Sequence, residues 1–223
     1  MELIVLALAP VAIILIYVYV RDKYDKEPIG LLLKTLFAGA FITIPILVVE
    51  SILSNWGSSF QGLWEAAYTA FVVASFSEEL FKYLVILIFI RKSPHFNERF
   101  DGIVYAVFVS LGFAAVENIL YVMDGGLKVG LLRALTAVPA HALFGVAMGF
   151  YFGKYLFIKK PKYLYQALWI PILLHGIYDF ILMSKQYVLL ILFIPFLIYL
   201  WVNGFRKMKY LSDRSIFRTQ KKE

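Results

Sequence analysis

The chain has 223 residues, 61% of them hydrophobic and 17% charged, with a mean hydropathy of +0.77. Soluble domains carry about 25% charged and about 45–50% apolar residues, so the composition points to a bilayer as solvent and excludes an ordinary soluble enzyme. The absence of cysteine excludes disulfides, thiolate catalysis and Cys-ligated metals. The net charge of +7 sits in linkers and the tail, so it reads as topology control and not as a nucleic-acid surface.

Seven apolar runs follow one another, at about 3–20, 29–52, 66–90, 102–123, 129–157, 165–184 and 187–205. The first has only Met1 and Glu2 before it and no small-x-small cleavage site before Arg21, so it reads as a retained helix. The linkers alternate in charge. Arg21, Lys23 and Lys26 follow the first run, whereas 51–65 holds no Lys or Arg. Arg91, Lys92 and Arg99 follow the third. Lys128 is alone in the next turn, with Arg133 just inside the fifth run. Lys154, Lys159, Lys160 and Lys162 flank the next connection, and Lys185 is alone in the one after. The positive-inside rule then places the N-terminus outside and the C-terminus in the cytoplasm. The expectation is an all-α, polytopic bundle of about seven spans, with a transmembrane domain over 1–206 and a basic cytoplasmic tail over 207–223.

The fifth run carries Gly145, Gly149 and Gly153 every four residues, with His141 four residues earlier. Small residues at this spacing let another helix approach closely. Pro139 and Pro171 each precede a histidine by a few residues and are expected to kink their helices.

Ionisable groups inside the runs are costly, about 2.5–3.5 kcal/mol each at a span's centre on insertion scales. The third run holds Glu78, Glu79 and Lys82, the fourth Glu117 and Asn118, the fifth His141, and the sixth His175 and Asp179. Lys82 lies four residues from Glu78 and three from Glu79, so it can neutralise either. Two adjacent carboxylates in low dielectric do not both ionise uncompensated, and a carboxylate so placed is suited to act first as general base and then as general acid. His175 and Asp179 share a face, where the acid orients the imidazole. Counting 1.5 Å per residue along the expected topology puts the set between the midplane and the extracytoplasmic side. Glu50, Glu65 and Asp124 fall near expected outer ends and read as interfacial; His95 reads as a solvated loop residue.

Structural readings stand beside the chemical ones. The Glu78–Glu79–Lys82 group reads also as an ion pair, His175–Asp179 as an interhelical clasp, and Asn118 as a bridge between helices. No HExxH or GxSxG occurs. Tyr178–Asp179 resembles half of an aspartyl intramembrane site, but no GxGD partner exists. The carboxylates and histidines also suit a divalent metal, ranked second to a metal-free site that activates water. A transporter or proton relay using the same groups, and a non-enzymatic scaffold, are the readings from other classes.

Taken in order, the strings SEELFK, FAAVEN, PAHALFG and HGIYD resemble the PrsW family of membrane proteases, which is related to the CAAX prenyl endopeptidases. The paired-glutamate motif falls on Glu78, Glu79 and Lys82, the second motif on Phe113, Glu117 and Asn118, and the histidine motifs on His141 and on His175 with Asp179. The CAAX relatives have histidine where this chain has Glu117. The resemblance implies an intramembrane endopeptidase of glutamic type, needing no cofactor, in a bacterial cell membrane. Its implied substrate is a single-span anti-sigma factor, cut on the extracytoplasmic side to start sigma-factor release in a stress response. Glu78, Glu79, Glu117 and His175 are the implied catalytic set, with Glu78 as base and His175 at the oxyanion. Lys82, Asn118, His141 and Asp179 support them. The implied partners are that substrate and the lipid bilayer, with no nucleic acid.

Overall fold

The structure, a computed structural model, describes residues 2–218; Lys221 and Lys222 of the expected tail lie outside the described residues. The described residues form helices and no strand. The first are α1 (Glu2–Arg21), α2 (Ile29–Phe41) and α3 (Thr43–Trp56). The expected second span is thus two helices meeting at Ile42. Pro45 falls in the first turn of α3, where a missing N–H costs nothing, whereas a helix continuing from α2 would press its ring on the carbonyl of Phe41.

The third run winds continuously from Leu63 to Ile90. It comprises α4 (Leu63–Tyr68), a π-helical stretch (Thr69–Phe76), α5 (Ser77–Val85) and a second π-helical stretch (Ile86–Ile90). Such widened turns are rare and recur at functional sites; here one leads directly into Glu78 and Glu79.

The central element is α6 (Asp101–Leu135), whose residues 101–114 are all buried. It bends at Gly126, where φ is 68° and ψ −159°, a conformation open essentially to glycine alone. The expected turn at 124–128 coincides with this break, and a second helical segment continues from it to Leu135. Then come α7 (Ala137–Ile158), α8 (Pro161–Met183) and α9 (Tyr187–Ser212). Pro139 sits in the first turn of α7, so it starts that helix instead of kinking it. Pro171 does lie inside α8. The last helix runs past position 206 to Ser212, with Met208 and Leu211 buried, so the start of the basic segment is packed helix.

The glycine stripe of α7 lies against α6. A Cβ on Gly149 would meet the Gly102 carbonyl oxygen at 2.1 Å, and one on Gly153 would meet that of Arg99 at 2.3 Å. On its other side α6 takes α2 as closely, through Gly39 at Val109 and Gly112 at Leu36. The outer faces are apolar: Ile13 on α1 and Ile191 on α9 are 66% and 73% exposed. That inverts a soluble protein's surface and suits lipid. Five helical segments are long and apolar enough to cross a membrane by length and composition among the described residues; one of them, Asp101–Ile158, contains both α6 and α7.

At one end of the bundle the linkers meet. The Asn97 side-chain amide donates to Asp25 Oδ2 at 2.7 Å, joining the α1–α2 linker to the segment before α6. Asp22, Glu27 and Glu98 are buried in the same region.

Candidate active site

Four helices bring the polar residues of the spans together. From α5, Lys82 Nζ donates to Glu79 Oε1 at 2.7 Å and to Glu78 Oε2 at 3.0 Å, as the i+3 and i+4 spacing requires. The ammonium also lies 3.3 Å from His141 Nδ1 on α7 and 4.3 Å above the Phe113 ring. From α8, His175 Nδ1 lies 3.0 Å from Glu79 Oε1 and Nε2 lies 3.2 Å from Asp179 Oδ2. Phe144 stacks on that imidazole, with ring centroids 4.8 Å apart.

The second histidine is braced in the same way. His141 Nε2 lies 2.9 Å from Glu117 Oε2 on α6, and Arg133 Nη2 donates to the same oxygen at 2.7 Å. With Lys82 donating to Nδ1, the His141 proton belongs on Nε2, facing Glu117. Each imidazole therefore turns Nδ1 toward the glutamate pair and Nε2 toward an outer carboxylate.

These groups border a cavity of about 420 Å³ between α3 and the helices α6, α7 and α8. Glu78, Glu117, His141, His175 and Asp179 line it, whereas Glu79, Lys82 and Asn118 do not. Glu79 is fully buried behind the wall, with Oε2 making no hydrogen bond among the described residues. Asn118 joins helices: its amide donates to the Ala7 carbonyl at 2.7 Å, and its oxygen accepts from Arg133 Nε at 2.8 Å.

Sequence reasoning missed two residues. Arg133 reads from the sequence as a charge just inside the fifth run, beside the turn, with no role at the site. The bend at Gly126 folds it back onto Glu117 and Asn118, and the Gly125–Gly126 doublet was the available signal. Glu50 reads from the sequence as interfacial; in the structure it lines the cavity, on the α3 face it shares with Thr43, Ile46 and Leu47. Glu65, Asp124 and His95 are exposed, as expected.

A family profile described as PrsW family intramembrane metalloprotease matches residues 27–202. The chain belongs to the PrsW family. Among its relatives, Protease PrsW of Clostridioides difficile (strain 630) is 39% identical over 221 residues, covering 95% of this chain and 92% of that one. Protease PrsW of Bacillus subtilis (strain 168) is 39% identical over 208 residues, covering 91% and 92%. That of Geobacillus kaustophilus (strain HTA426) is 38% identical over 214 residues, covering 93% and 91%. No solved structure matches the chain. Membership of PrsW, together with the apolar helices, makes this a multi-pass membrane protein.

The word metalloprotease in the PrsW description asks whether the residues suit a metal. Glu78, Glu79, His141 and His175 each offer a donor atom, all within 4.8 Å of one another. Two imidazoles and two carboxylates are a zinc-like donor set, and carboxylates behind both rings are the usual outer support of metal-bound histidines. The donor set therefore fits. Lys82 Nζ makes contacts to three of the same residues and already supplies positive charge there.

Proposed function

We propose that the protein is a membrane-embedded endopeptidase that hydrolyses a peptide bond of a single-span membrane protein, using water activated by Glu78. The observation that carries this reading is the division of the glutamate pair. Glu78 faces the cavity, while Glu79 is held behind it by Lys82 and His175. A base must reach water and substrate within hydrogen-bond distance, and Glu78 is the member of the pair with that access. It takes the water proton as the oxygen attacks the scissile carbonyl, then returns it to the leaving amine. Lys82 balances the charge on Glu78 throughout. The family resemblance supports His175, stacked on Phe144 at the cavity wall, as the group for the developing oxyanion; its Nε2–H, which rests on Asp179, would turn from that carboxylate to the oxyanion. Glu117 fixes His141 beside them.

The family resemblance supports an anti-sigma factor as the substrate, cut to release its sigma factor under stress in the bacterial cell membrane. The linker charges support seven spans with the N-terminus outside. On that topology the cluster lies between the midplane and the outer leaflet, the side from which such a factor is first cut.

A second reading, metal-assisted hydrolysis, is favoured by the four clustered donors. Glu78, Glu79, His141 and His175 would hold the ion, which would polarise the carbonyl and acidify bound water. The two readings separate in one assay. Purified protein in liposomes is incubated with a single-span substrate, with and without a strong chelator. Glu-activated water predicts the same cleavage rate in both; loss under chelation, restored by added zinc, overturns it in favour of the metal.

A further inference from the structure

Four carboxylates line the cavity: Glu50, Glu78, Glu117 and Asp179. Three have a basic partner close by, Glu78 with Lys82 at 3.0 Å, Glu117 with Arg133 at 2.7 Å and Asp179 with His175 at 3.2 Å. Glu50 alone makes no hydrogen bond or ion pair among the described residues.

Its helix explains how it is placed. Thr43, Ile46, Leu47, Glu50, Ser51 and Ser54 line the cavity, at the three- and four-residue spacing of one helical face. The opposite face carries Ile44, Val48 and Ile52, exposed for lipid. Glu50 is the one charged residue of α3, and it lies on the face that lines the cavity. A carboxylate in a span is costly to insert, and Lys82, Arg133 and His175, the cations of the site, are each in direct contact with another carboxylate. Glu50 belongs to no group of clustered donors among the described residues, so a metal ion would have a single ligand there. A cationic side chain needs only one carboxylate.

We propose that Glu50 binds a lysine or arginine side chain of the substrate next to the scissile bond, and so selects membrane segments with a basic residue flanking the cut. The inference rests on the peptidase reading and names its substrate class. A segment lying between α3 and the wall that carries Glu78 passes both carboxylates. Glu78 takes the water and Glu50 takes the cation, which fixes the register of the peptide.

The test uses the full chain in liposomes and a panel of single-span substrates with Lys, Ala or Glu at each position flanking the cut. The wild type is expected to prefer Lys over Ala at one position by about 10- to 100-fold in kcat/KM, the range of a charge-assisted hydrogen bond. Glu50→Gln, nearly isosteric, is expected to cut the Lys and Ala substrates at equal rates. Glu50→Lys is expected to reverse the order and prefer Glu. Reversal by charge exchange is a readout that a structural role for Glu50 would not produce. Equal wild-type cleavage of all substrates, or a Lys preference that survives in Glu50→Gln, overturns this inference alone. Cleavage of no substrate overturns the peptidase reading and this inference with it.

Discussion

Each imidazole of the site is fixed at both nitrogens, and this sets what a single substitution does. His175 keeps its ring plane through Asp179 on one side and Glu79 on the other. Carboxylates behind metal-bound imidazoles contribute about 10- to 100-fold to affinity or activity, and a similar share is expected of Asp179 in orienting this ring. Asp179→Asn retains size and hydrogen bonding but loses the charge, so cleavage is expected to fall by about that factor while thermal unfolding stays near that of the wild type. A rate equal to the wild type's would show that His175 needs no acceptor. At this scale the sequence was partly legible. The i+3 and i+4 spacings reveal Lys82 with its glutamates and His175 with Asp179, since helix geometry alone makes those contacts. The pairings of Arg133 with Glu117 and of His141 with Lys82 join residues 16 and 59 positions apart. They depend on a bend and on helix packing that no local spacing records.

At the scale of elements, two irregular backbone sites determine what reaches the cavity. One is the junction at Ile42, where α2 passes into α3, the helix that carries Glu50. The other is Gly126, whose φ of 68° and ψ of −159° return Arg133 to Glu117. Side chains other than hydrogen are strained there by about 1–3 kcal/mol. Gly126→Ala is expected to lower stability by about that amount and to reduce cleavage by loosening Arg133; unfolding and cleavage both unchanged would contradict this. Hydropathy marks a break at 124–128, where Gly126 lies, but not the junction at Ile42, because the run stays apolar on both sides of it.

The linker end of the bundle makes a separate prediction about pH. Burial, and then the nearby charge of Glu98, push the Asp22 carboxyl up to about 7. Burial likewise raises Glu27 to about 7, although the Tyr105 hydroxyl donates to it. Between the ordinary carboxylate range near about pH 4 and about pH 7, the folded protein therefore holds more protons than the unfolded chain. The contribution of these two carboxyls to stability then falls as pH rises across that window. Thermal unfolding in detergent is expected at higher temperature at pH 5 than at pH 7. Asp22→Asn, which cannot ionise, should flatten the slope; an unaltered slope would remove Asp22 as its source.

Across the whole molecule, the exposed apolar surface and the central position of α6 follow from composition and from glycine spacing. The α7 stripe predicted a close helix contact, and α6 makes it. The cavity was not legible in the same way, because it arises where α3 stands off from the wall formed by α6, α7 and α8. That wall exposes Glu78 and hides Glu79, so only one glutamate of the pair can reach water and substrate. The most direct test is the cleavage rate of Glu78→Gln in liposomes, with folding checked by thermal unfolding. The prediction is loss of cleavage in a folded protein; cleavage at the wild-type rate would contradict the assignment of Glu78 as the base.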